Sequence, residues 1–276
     1  MAPTAGGLAG GFGWDKAMPD KAGLDRWAAE HTRGLIEQFP IGIGPETLLV
    51  FATALVLQPR WSTELWTDNE GMLLLNDGLQ TLVDTLAAGR VAVAKPLSKD
   101  GVDVVSVIAA PEFSPADLWR AVQGALRSGG CPDGELIDGH SWKVLDATET
   151  FIEWDAPADF DVVWRSHLPR WSGNTASELT GAPGVAEIVA SLGDVVPALA
   201  GPFERTQAAA AYDESGFNAA AVTALGITTG APQFVERTIR RVEVTFDWPY
   251  AVIAIARGGP WEGVAVFNAW VTASWL

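Results

Sequence analysis

The side chains able to do chemistry are few and poorly grouped. The 276 residues include three histidines, His31, His140 and His167, and one cysteine, Cys131. His31 falls in a helical pattern beside Glu30 and Thr32, His140 in a loop, and His167 before Leu168 and Pro169 at a strand end. No two of them stand at the spacing by which a helix or hairpin aims two imidazoles at one metal ion. Gly139-His140-Ser141 opens like a nucleophile elbow, but Trp142 and Lys143 follow, and the second glycine is missing. Glu153, Asp155, Asp159 and Asp161 could supply oxygens to calcium; spread through an aromatic, proline-containing loop, they read better as a solvated turn. The run GGLAGGFG near the N-terminus has the glycines of a phosphate cradle, yet no strand precedes it and no Lys-Ser/Thr follows. No catalytic constellation assembles, so the expectation is a protein that is not an enzyme and carries no metal and no cofactor.

One stretch is unusual for another reason. Residues 212–230 read YDESGFNAAAVTALGITTG: an acidic turn, three alanines, then small and β-branched residues. No charge stands between Phe217 and Gly230 in a chain whose formal charge is −16. With 18 Lys and Arg against 34 Asp and Glu, nucleic acid is an improbable partner, because phosphate binding needs clustered cations. Hydrophobic residues make up 48% of the chain, enough for a sizeable core. A single cysteine excludes an internal disulfide. No uninterrupted apolar run is long enough to span a bilayer, and no basic region followed by an apolar one marks a signal peptide.

The elements that must position these residues are legible in outline. Residues 1–23 read as a flexible lead-in to one domain over residues 24–276. Leu24, Trp27, Ala28, Leu35 and Ile36 fall at helical spacing, ended by Pro40, Gly42, Gly44 and Pro45. Thr47–Leu57 is a continuous apolar run suited to a strand covered on both faces. Strands are expected at Met72–Leu75, Arg90–Ala94, Val102–Ala109, Phe160–His167, Val242–Phe246, Ala251–Ala256 and Gly263–Ala273. Ser114–Ala125 has a Ser N-cap, Pro115 at the first position and Asp117 in the first turn, and predicts a helix. A second helical stretch is expected over Thr175–Leu192, broken near Pro183. Strands and helices do not alternate regularly, which favours α+β over a doubly wound sheet.

Five segments, in order, resemble the serpin family. LDRWAAEHTRGLI (24–36) is similar to a helix lying over the serpin main sheet, and TLLVFATALVLQPRW (47–61) to the central strand that follows and ends in the family's Trp. HLPRW (167–171) resembles the strand with a basic residue after Leu-Pro, and VTFDWPYAVIAIA (244–256) the strand after the loop. Residues 212–230 resemble the hinge of the reactive-centre loop. The family's N-terminal third has no visible counterpart.

The resemblance implies a serpin-like α+β fold of mixed sheets with surface helices and an exposed reactive-centre loop. It implies a monomer that inhibits a serine protease by loop cleavage and insertion of the hinge side as a new strand. The alternative is a non-inhibitory serpin-like binding or remnant protein. No nucleic acid or membrane partner is expected, and the compartment is extracellular by family expectation or, alternatively, cytoplasmic. The hinge maps to Glu214, Gly216, Phe217, Ala219, Ala220, Ala221 and Thr223, with Gly216 as the pivot. The hinge anchor maps to Trp61, Arg170 and Glu214, and the gate beneath the sheet to Thr53 and Thr206. The bait bond falls near Gly230 and Ala231, with Arg237, Arg240 and Arg241 as trypsin-like alternatives that read better as strand residues. A loop that lives in water and later in a sheet must avoid charge, because burying an unpaired charge is costly. Phe217 departs from the small residue that inhibitory members carry after the hinge glycine. It would be the first side chain to enter the sheet.

Overall fold

The computed structural model describes residues 19–44, 47, 50, 54, 56–125, 135–178, 187, 190, 191, 205–217 and 233–272. The chain divides into two compact units, one of Gln58–Trp171 and Tyr212–Leu276 with Met1–Gly6, the other of Gly7–Leu57 and Ser172–Ala211. The strands, in chain order, are β1 (Trp66–Thr67), β2 (Leu73–Leu75), β3 (Leu79–Thr85), β4 (Gly89–Lys95), β5 (Val102–Ile108), β6 (Trp142–Ile152), β7 (Val162–Leu168), β8 (Trp171–Glu178), β9 (Arg205–Tyr212), β10 (Phe234–Thr245), β11 (Tyr250–Ala256) and β12 (Ala265–Val271). The α-helices are α1 (Lys21–His31) and α2 (Pro115–Ala125).

The first unit holds two five-stranded sheets. One runs β12-β11-β5-β4-β3 with every neighbour antiparallel. Its central strands are rich in Val, Ile and Ala because both faces are covered. On one face Val83, Val91, Val93, Val105, Val107, Ala251 and Ile253 pack under Leu118, Ala121 and Val122 of α2. Leu82, Ala92, Ala94, Val104, Ile108, Val252 and Ala254 have the opposite parity and are fully buried too. There Gln80 of β3 accepts a 2.6 Å hydrogen bond from Ser166 of β7, which joins the two sheets through a buried polar pair.

The other sheet runs β1-β2-β7-β10-β6 and is mixed: β10 is parallel to β7 and antiparallel to β6. The β6–β10 pairing extends over eleven residues of each strand, from Trp142↔Val244 to Ile152↔Phe234. β7 joins β10 only from Arg240 onward, so the outer half of β6–β10 is a two-stranded ribbon beyond the rest of the sheet.

In the second unit α1 is capped by Asp20, whose carboxylate accepts from Gly23 N–H at 2.8 Å. Leu24, Ala28 and Phe39 form a small core there, flanked by Trp27, Ile36, Ile41, Ile43 and Val50. β8 and β9 pair as a two-stranded sheet.

Two expectations need correction. Residues 171–178 form strand β8, so the helical reading of Thr175–Leu192 fails at its start; Ser, Gly, Asn and Thr carry little local preference, and pairing with β9 decides the outcome. The described residues of the run 47–57, namely 47, 50, 54, 56 and 57, are not in a strand, since apolar composition without a paired neighbour makes no ladder. The α+β class with mixed sheets is the one expected.

Candidate functional site

Residues 212–217 make a tight reverse turn. Asp213 N–H donates to Gly216 O at 3.0 Å, and Tyr212 and Phe217 face each other in an antiparallel bridge. The Asp213 carboxylate caps the turn from inside: Oδ1 accepts from Ser215 N–H and Ser215 Oγ, each at 2.8 Å, and from Gly216 N–H at 3.2 Å. The turn lies along residues 59–65. Phe217 N–H donates to Pro59 O (3.0 Å), Trp61 N–H to Ser215 O (3.0 Å) and Leu65 N–H to Glu214 O (2.8 Å).

Gly216 serves this contact in a way the sequence misses. Its φ is not in the left-handed region, so it is no pivot in that sense. A Cβ here would sit 2.4 Å from Pro59 O and 3.1 Å from Arg60 Cα. Glycine is needed because two backbones touch at this point.

The turn also gathers Trp61, Arg170 and Glu214. Trp61 is 2% exposed, and its indole Nε1–H donates to Asp213 O at 2.9 Å. Arg170 forms an ion pair with Glu214 and donates to Thr67 Oγ1 at 2.6 Å. Both partners are substantially solvated, so the pair itself contributes about 0.2–1 kcal/mol at most. Its effect is geometric: it ties the turn to the segment after β7 and to β1.

Phe217 is not a free side chain waiting to move. It is 2% exposed, with its ring 5.3 Å from Phe267, 6.0 Å from Trp171 and 6.4 Å from Tyr212, each edge-on. Trp61 and Trp171 also lie against Tyr212, at 5.2 and 6.3 Å. Burial raises the Tyr212 and Tyr250 phenols far above their usual range, so both stay neutral. Ala219, Ala220, Ala221, Thr223, Gly230, Ala231 and Thr53 lie outside the described residues. Thr206 lies in β9, and its side chain is outside them as well. Arg237, Arg240 and Arg241 are strand residues of β10; Arg240 pairs with Asp146 (3.4 Å) and Arg241 with Glu149 (2.6 Å).

Sequence reasoning missed a polar chain on the mixed sheet. His167 Nδ1 lies 2.7 Å from Asp68 Oδ2, and Nε2 lies 3.4 Å from Glu243 Oε1. Glu243 continues to Arg241 (3.6 Å), which shares Glu149 with Arg165. Partners up to 99 residues apart left no local signal. Burial pushes the Asp68 carboxyl up, but hydrogen bonds from His167, Met72 N–H and Glu70 N–H outweigh it and hold it below the usual range. His140 Nδ1 lies 3.4 Å from Ser141 Oγ, and among the described residues no carboxylate pairs with this imidazole. The carboxylates of Asp159 and Asp161 accept from the backbone N–H groups of Thr238 and Ala158, and among the described residues no three side chains form a metal-binding group. None of the described helices is long and apolar enough to cross a membrane.

No family model and no curated protein matches the chain. Among solved structures the likeness is different. Three of the solved structures it is similar to are serpins. One is Serpin48 from the insect Tenebrio molitor, described as a highly specific serpin, with a TM-score of 0.41 and 11% identity over 77% of this chain and 52% of that one. Another is thyroxine-binding globulin in complex with thyroxine, with a TM-score of 0.48 and 11% identity over 86% of this chain and 60% of that one. A third is human glycosylated kallistatin, with a TM-score of 0.39 and 15% identity over 84% and 58%. The chain thus spans under two thirds of the length of these serpins.

Proposed function

We propose that residues 218–232 are a bait loop for a serine protease, and that the chain inhibits the protease by loop cleavage followed by insertion of the hinge side along β9. The observation that carries this reading is the anchored turn. β9 runs straight into it, Glu214, Arg170 and Trp61 hold it, and the uncharged stretch follows at once. A strand inserted beside β9 needs uncharged side chains and a fixed first residue, and the sequence supplies both. Inhibition is a race between insertion and hydrolysis of the acyl-enzyme, so each 1.4 kcal/mol added to the insertion barrier slows it about tenfold. The test is incubation with a panel of serine proteases followed by denaturing gels. A stable covalent complex supports the reading; cleavage between residues 217 and 233 with no complex and no rise in melting temperature would sink it.

A second reading is binding of an apolar small molecule. A cleft between the α2 N-terminus and the β11–β12 edge is lined by Phe113, Leu118, Trp248, Pro249 and Trp270, and Trp248 is 44% exposed. Aromatic walls of this kind suit a flat apolar ligand. Titration with thyroxine, followed by tryptophan fluorescence, tests it: saturable quenching lost in Trp270→Ala supports binding, and an unchanged spectrum rejects it.

A further inference from the structure

A cavity of about 130 Å³ opens on the first unit and shares no lining residue with the aromatic cleft at α2. Its walls include Glu64 on the approach to β1, Trp66 of β1, Leu74 of β2, Asn76 and Asp77 in the turn into β3, and Leu97 after β4. Backbone contacts set these walls. Gly78 closes the turn at φ +114°, and a Cβ there would lie 2.4 Å from Lys95 O, so the turn rests on the end of β4. Ser62 N–H donates to Leu97 O at 2.7 Å and Leu65 N–H to Glu214 O at 2.8 Å, which hold the approach to β1.

The chain alternates through residues 64–66: Leu65 is buried, and Glu64 and Trp66 are exposed together on the other side. Trp66 is 74% exposed, and its ring has no aromatic or cationic partner among the described residues. Asp77 lines the cavity from the turn. Among the described residues neither the Glu64 nor the Asp77 carboxylate has a hydrogen-bond or ion-pair partner. On neighbouring segments Asp84, Asp100 and Asp103 are each paired with Arg or Lys. One small concave space thus holds two unmatched negative charges, an open indole face and the apolar side chains of Leu74 and Leu97.

Charge and shape decide the occupant. Two carboxylates call for a cation with several N–H donors, and the indole for one with a flat, weakly hydrated face. A guanidinium meets both demands: its planar fork donates to carboxylates and stacks on aromatic rings. An ammonium is a compact, strongly hydrated point charge without such a face. A bare metal ion fits less well, since among the described residues no three metal-binding side chains group together. A cavity of about 150 Å³ takes one benzene, so the space here admits a guanidinium with a short alkyl chain. We propose that this cavity binds a small free alkylguanidinium, with Glu64 and Asp77 as its counter-charges and Trp66 as its stacking face. The site stands whether or not residues 218–232 are a bait loop.

The probe is butylguanidinium, titrated calorimetrically into the full chain at physiological salt, with butylammonium and a capped Gly-Arg-Gly tripeptide run beside it. Saturable one-site binding is expected, at least about tenfold tighter than that of butylammonium. Glu64→Gln with Asp77→Asn, and separately Trp66→Ala, each raise Kd at least about tenfold. Glu153→Gln with Asp155→Asn removes the same charge elsewhere on the surface and leaves Kd unchanged. Melting temperatures equal to wild type exclude misfolding of the variants. Absent saturation, equal affinity for butylammonium, or site variants that bind like wild type overturn the proposal. So does a Kd that rises equally wherever two charges are removed, since that is attraction to the net charge alone. Tighter binding of the tripeptide assigns the cavity to an arginine side chain and overturns the free ligand.

Discussion

At the scale of single residues, two side chains define tests that do not depend on any partner. Gly216 is held by contact rather than by φ, so Gly216→Ala drives a methyl group into the Pro59 carbonyl. The expected loss is about 1–3 kcal/mol, measured by urea unfolding, with faster exchange of the Phe217 and Trp61 amides. A φ-driven glycine would instead tolerate Asn better than Ala, and that ranking separates the two causes. Asp68 gives the pH dependence. Its folded carboxyl is held below the usual 3.8, chiefly by the His167 hydrogen bond acting against burial. A depressed folded pKa adds stability above the unfolded value, and that stability is lost as pH falls below 3.8 through the folded value. Asp68→Asn should therefore flatten the acid limb of the stability curve, read as urea midpoints at stepped pH. An unchanged limb would assign the acid sensitivity elsewhere.

At the scale of elements, the decisive feature is the aromatic nest that closes on Phe217. Deleting this buried ring, as Phe217→Ala, should cost about 3–5 kcal/mol, of which the edge-on ring contacts make up part. Thermal unfolding checks it. Phe217→Thr is the informative partner variant: if the nest retards insertion, the ratio of complex to cleaved product rises despite lower stability. The Val- and Ile-rich β4, β5 and β11 announce themselves because both faces are covered, and Ser114–Ala125 carries its own caps. β6 and the outer half of β10 are hidden, because their solvent faces carry Asp146 and Glu236 and their other faces are interrupted by Glu149 and Arg237. β3 is hidden by a buried polar residue, Gln80, whose partner Ser166 lies 86 positions away. At the turn of residues 212–217 the grouping of Trp61, Arg170 and Glu214 was readable by resemblance. The closeness of Gly216 to Pro59 was not, because sequence carries no record of which backbones touch.

At the scale of the whole molecule, the strand order itself makes a statement. β10 lies between β6 and β7, and β11 lies between β5 and β12. The strands after residue 233, β10, β11 and β12, are thus woven into both sheets of the first unit, while the strands that complete those sheets come before residue 217. A protease that cuts between these points breaks the covalent chain but severs no ladder among the described residues. The two peptides should elute together as one native species and part only under denaturation, visible as one peak on gel filtration and two bands on a denaturing gel. A spontaneous separation of the pieces would show that the weave is weaker than its topology implies. No ladder among the described residues needs covalent continuity between residues 217 and 233, so a nick or new termini placed there should leave both sheets of the first unit intact.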